Sequence, residues 1–107
     1  MNRTSIPTQL SNITQAIVRE FKPDRIILFG SWAWGKPTEG SDVDLFIIKD
    51  SKQARVEREK SVYRIIFNIP IPVDVLVFTP AEVKRRLSYE DPFVTQILTR
   101  GRVLYAQ

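Results

Sequence analysis

The chain has 107 residues, 43% of them apolar and 26% charged, with a formal net charge of +4. Those figures suit one globular domain, residues 1–107, with an ordinary hydrophobic core. It contains neither cysteine nor histidine, which excludes disulfides, thiolate zinc sites, cysteine nucleophiles and imidazole bases. Any chemistry rests on carboxylates, hydroxyls, Lys and Arg, or a hard metal bound by oxygen.

Leu10, Ile13, Ile17 and Phe21 recur at helical spacing and predict an amphipathic helix over 7–21. The Lys22-Pro23-Asp24 break leads into an apolar run, 25–30, that reads as a strand buried on both faces and ended by Gly30. Residues 31–35 read as one helical turn, 36–40 as a loop, and 42–49 as a second strand. Asp50, with Gln53 three residues later, reads as a capping box for a helix over 51–68. Its inward stripe is expected at Val56, Tyr63, Ile66 and Phe67. Its outer face is expected to carry Lys52, Arg55, Arg58, Lys60 and Arg64.

A connector, Ile69-Pro70-Ile71-Pro72, precedes a third strand over 73–78. Thr79 and Glu82 frame a capping box with Pro80 at the first helical position, and Asp91-Pro92 starts another helix that Gly101 stops. Residues 102–105 suit a short last strand. The order α-β-α-β-α-β-α-α-β predicts an α/β (α+β) fold, a mixed central sheet of 3–4 strands flanked by helices. No apolar run reaches the roughly 20 residues that span a bilayer, and the first residues lack the apolar core of a secretory signal. A cytoplasmic protein without membrane association is expected.

Four features bear on chemistry. Gly30-Ser31 ends a buried strand and opens a helical turn, where backbone N–H groups suit a phosphate; such glycines are also common without any ligand. Asp42 and Asp44 point to one face of their strand. Solvated strand-start acids are the competing reading, although Phe46 and Ile48 continue that face inward. Asp74 interrupts the apolar run "IPVDVLVF", where a carboxylate is costly unless paired, hydrogen-bonded or bound to metal. An ion pair with Arg25 or Arg64 is the structural alternative. If the second and third strands are neighbours, Asp42, Asp44 and Asp74 converge into an oxygen-rich site for Mg²⁺. Ten residues separate Ser31 from Asp42, enough for turn and carboxylates to lie on adjacent strand ends. The combination suits phosphoryl or nucleotidyl transfer.

The stretch "GSWAWGKPTEGSDVDLFI", the later "VDVLVF" and the "ILTRGRVLY" tail together resemble the minimal nucleotidyltransferases of the DNA polymerase β superfamily. Their pattern is Gly-Ser-x-Ala-Arg-Gly, a short loop, Ser-Asp-x-Asp-Leu, and a third carboxylate on a later strand. The resemblance implies that Gly30, Ser31 and Ser41 bind the nucleotide. It makes Asp42, Asp44 and Asp74 the catalytic, metal-binding carboxylates for two Mg²⁺ ions, with Asp74 also helping to activate the acceptor hydroxyl. It further implies transfer of AMP from ATP to a protein, a tyrosine of a helical HEPN-domain RNase toxin, so that the chain acts as an antitoxin within a hetero-oligomer.

One position departs from the pattern: Trp34 stands where the family has arginine. Lys36 or a basic residue of 51–68 is then expected to meet the triphosphate. At least one of Trp32 and Trp34 is expected to pack the turn against the sheet, with a base stack or a partner contact open to the other. Two alternatives stand beside the leading reading. One is neutralisation of the partner by binding alone; the other is transfer to a small molecule or RNA. The lack of an acceptor domain and of an aromatic-basic platform argues against the second, and no direct DNA binding is expected.

Overall fold

The computed structural model describes residues 5–37 and 40–107; Thr38 and Glu39, in the loop expected at 36–40, lie outside the described residues. The elements are α1 (Ser5–Phe21), β1 (Arg25–Phe29), α2 (Ser31–Trp34), β2 (Val43–Ile48), α3 (Arg55–Ile66), β3 (Val73–Phe78), α4 (Pro80–Ser88), α5 (Pro92–Arg100) and β4 (Arg102–Ala106). The expected order is reproduced. The strands form one mixed sheet in the order β3-β2-β1-β4, with β1 antiparallel to both β2 and β4 and with β2 parallel to β3. This is the α+β architecture anticipated from the pattern. Among the described residues no helix is long and apolar enough to cross a membrane.

Both faces of the sheet are covered, which is why its central strands read as continuous apolar runs. On one face Leu10, Ile13 and Ile17 of α1 and Val62 and Ile66 of α3 pack on Ile26, Leu28, Leu45, Ile47, Val75 and Val77. On the other, Val83 of α4 and Val94 and Ile97 of α5 pack on Ile27, Phe29, Phe46 and Phe78. The predicted caps of α4 and α5 are both present. Thr79 and Glu82 form the reciprocal capping box, and the Asp91 carboxylate accepts from the N–H groups of Phe93 and Val94.

The crossover helix α3 departs from expectation in start and phase. It begins at Arg55 behind Ala54, with no side-chain cap. The Ser51 hydroxyl instead accepts from Gln53 N–H at 3.0 Å, a local hydrogen bond of the kind that competes with helix. The carbonyl of Gln53 is taken by Arg58 Nε at 3.0 Å. The inward row is Arg58, Val62 and Ile66; of the expected stripe only Ile66 is buried, while Val56 and Phe67 are 59% and 83% exposed.

The phase follows from Arg58, expected on the outer face but 4% exposed. Its guanidinium makes a two-pronged pair with Glu82 at 2.7 and 3.0 Å and donates to Val77 O at 2.8 Å. A buried arginine whose donors are this fully engaged can occupy a core-facing position. The flank of α3 meets the open edge of β3: Tyr63 Oη accepts from Val75 N–H and Glu59 from Val77 N–H. Those side chains engage donors that an edge strand would otherwise offer to another chain.

Candidate active site

β1 ends in Phe29, which lies opposite Asp44 of β2. Gly30 follows with φ 78 and ψ −158 and starts the single turn of α2. Its carbonyl accepts from Ala33 N–H at 2.9 Å and Trp34 N–H at 3.0 Å. A β-carbon at position 30 would collide with Asp44 Oδ2 and lie 3.2 Å from its Cγ. The residue must be glycine on two counts, the left-handed backbone and the close approach of the carboxylate.

The neighbouring strand supplies the third acid. β2 and β3 run parallel with Asp44 directly beside Asp74, and Asp42 sits one residue before β2. The condition on which the three acids would converge, that the second and third strands are neighbours, holds. Burial raises the Asp44 pKa above its ordinary value, and the charges of Asp74 and Asp42 raise it further. Asp74 is raised likewise, first by burial, then by the Asp42 charge and by a hydrogen bond with Asp42 that its protonated form makes. Burial together with like charges on two neighbouring strand ends produces this pattern. Asp74 has no arginine partner among the described residues; Arg25, one of the suggested partners, lies opposite Ile48 at the far end of the sheet.

As donors, three crowded carboxylates match a hard divalent cation, which takes oxygen ligands and relieves their repulsion. Among the described residues no three acidic side chains enclose a cation-sized point as they stand. The fit therefore lies in donor chemistry and adjacency.

The turn is tied to the acids from its own side chains. Trp32 Nε1 donates to Ser41 O at 3.2 Å, joining α2 to the residue before Asp42, and Trp32 packs on the α1/α3 side of the core. Trp34 packs on the α4/α5 side, 6.3 Å from the Phe29 ring. Both indoles thus serve as packing for the turn. Among the described residues the cation that meets Trp34 is Arg100, whose guanidinium lies over the indole, 5.1 Å from its centroid. Sequence reasoning missed Arg100 because sixty-six positions separate it from Trp34 and only α5 packing brings them together. Its one signal was a basic residue in the last helical turn before Gly101.

A glycine turn seated against one of three clustered acids has a chemistry compatible with a phosphate ester in the company of a hard cation. The family profile described as "Nucleotidyltransferase domain" matches residues 10–104, and the chain belongs to that family. A Methanocaldococcus jannaschii protein named "Putative protein adenylyltransferase MJ1305" is 30% identical over 112 aligned positions, covering 98% of this chain and 75% of that protein. A crystal structure from Sulfolobus solfataricus, named as that of "a putative nucleotidyltransferase", superposes with a TM-score of 0.62 at 18% identity. It covers 100% of this chain and 91% of the other and shares the fold.

Proposed function

We propose that this nucleotidyltransferase moves AMP from ATP to a hydroxyl of a protein, a tyrosine of a HEPN-domain RNase toxin, and so acts as its antitoxin. The observation that carries the reading is the seat of Gly30 against Asp44, with Asp74 in register beside it. The name of the M. jannaschii relative supports a protein acceptor.

In this reading Gly30, Ser31 and Ser41 receive the nucleotide, and Asp42, Asp44 and Asp74 hold Mg²⁺. Bound Mg²⁺ supplies neutralisation of phosphate charge and acidifies the acceptor hydroxyl. Asp74, exposed at the start of the edge strand, orients the incoming hydroxyl. The acceptor hydroxyl oxygen bonds to the α-phosphorus as the bond to the α–β bridging oxygen breaks. Pyrophosphate leaves with the electron pair, and the hydroxyl proton passes to solvent beside Asp74. The turn and the three acids position the reactants, which is most of what nucleotidyl transfer asks of a protein.

The test is transfer of label from α-labelled ATP to a co-expressed HEPN partner, read by mass spectrometry as added AMP. Wild type is expected to modify the partner, and Asp42→Asn and Asp44→Asn to lose the activity while keeping the fold. Undiminished transfer by both variants refutes the assignment. The second reading, inhibition by binding alone, is motivated by Trp34 in the arginine position; it predicts a tight complex whose partner never gains AMP.

A further inference from the structure

We infer that Arg100 receives the β- and γ-phosphates of the nucleotide, with Trp34 as the shelf that holds its guanidinium. The inference rests on the nucleotidyl-transfer reading and adds to it a residue that the sequence pattern does not contain.

Topology puts Arg100 at the right end of the sheet. β1 runs toward Gly30, β4 is antiparallel to it, and β4 begins with Arg102 opposite Leu28. The last turn of α5 therefore lies beside the strand end that carries Gly30 and faces Asp44. The backbone there is closely fitted. Gly101 N–H donates to Ile97 O at 2.8 Å, and a β-carbon at position 101 would collide with the Ile97 carbonyl and with Ile27. Phe93 of α5 meets Phe29 edge-on at 5.8 Å, so α5, the end of β1 and the α2 turn are packed as one unit.

The side chain is poised. The guanidinium sits over the Trp34 ring at 5.1 Å, a cation–π contact that uses no acceptor oxygen and leaves its N–H donors available for phosphate oxygens. Arg100 is exposed, and among the described residues no carboxylate pairs with it. Capping of α5 does not account for it, since among the described residues its guanidinium donates to no carbonyl of the helix end and lies on the indole. A cation fixed on an aromatic shelf one helical turn from Ser31 supplies what Trp34 itself cannot. It neutralises a polyphosphate tail whose charge grows as pyrophosphate departs.

The experiment is calorimetric titration of ATP and of AMP, each with Mg²⁺, into wild type, Arg100→Gln, Arg100→Gln/Trp34→Arg and Asp44→Asn. Loss of one or two charge-assisted hydrogen bonds predicts that Arg100→Gln weakens ATP by about tenfold or more, while AMP changes by less than about twofold. Adding Trp34→Arg restores most of the ATP affinity, because it returns a guanidinium to the same place from the turn itself. Arg100→Lys, which keeps charge and stem, falls between and stands in if Arg100→Gln melts early. ATP affinity unchanged in Arg100→Gln, or equal weakening of ATP and AMP, overturns the role of Arg100. If ATP binding is lost in Asp44→Asn but kept in Arg100→Gln, the nucleotidyl-transfer reading stands and Arg100 alone falls. Wild-type protein that binds neither nucleotide overturns both.

Discussion

Replacing Arg58 by alanine strands three acceptors at once: the Glu82 carboxylate, the Val77 carbonyl and the Gln53 carbonyl. Removing one member of a buried ion pair costs about 3–5 kcal/mol. Glu82 is 36% exposed while Arg58 is 4% exposed, so water can reach the abandoned carboxylate, and the expected loss is reduced to about 2–4 kcal/mol. For a chain near 100 residues that is a fall of roughly 10–20 °C in melting temperature. The pair also leaves a signature in acid. Hydrogen bonding to Arg58 is the largest cause holding Glu82 at about 2, against an ordinary 4.5. A carboxyl depressed by folding binds fewer protons in the native state, so its contribution is complete above about pH 4.5 and is lost as pH falls toward 2. Glu82→Gln keeps the capping geometry on Thr79 and removes the charge; it should flatten that acid limb. Thermal melts by circular dichroism between pH 2 and 7, on wild type and on the Arg58→Ala/Glu82→Gln cycle, measure both effects. An Arg58→Ala loss below about 1 kcal/mol, or an acid limb unchanged in Glu82→Gln, refutes the reasoning.

Three further substitutions test other contacts of the structure. Without metal, Asp44→Asn should raise stability by on the order of 1 kcal/mol, because it relieves repulsion from Asp42 and Asp74. Mg²⁺ should raise the wild-type melting temperature and leave that of Asp44→Asn nearly unmoved, as a dye-based melt with and without the ion will report. Gly30→Ala should lower stability by about 1–3 kcal/mol through its left-handed backbone alone. Its displacement of Asp44 should also abolish transfer; an active Gly30→Ala enzyme contradicts the close seating of turn on carboxylate. Tyr63→Phe should speed amide exchange at Val75, whose N–H bonds to the phenol at 2.9 Å, at a stability cost of about 0.5–1.5 kcal/mol.

The residues of the candidate site were legible locally. Gly30-Ser31, Asp42, Asp44 and Asp74 lie at element ends that Gly30, Gly40 and Pro72 announce, and local turn rules set those ends. The apolar runs of β1, β2 and β3 declared strands buried on both faces, and alternation with helices declared the fold class. What the sequence could not determine was which side of α3 turns inward, because an arginine at a core position looks like an error until Glu82 arrives from a helix beyond the next strand. Nor could it pair Trp34 with Arg100, or place Asp74 beside Asp44. Those contacts join residues distant in the chain, and only packing of two helical layers on one sheet decides them. Spacing rules describe what a segment does with its own neighbours; charge compensation in the interior and at the site depends on partners brought from elsewhere.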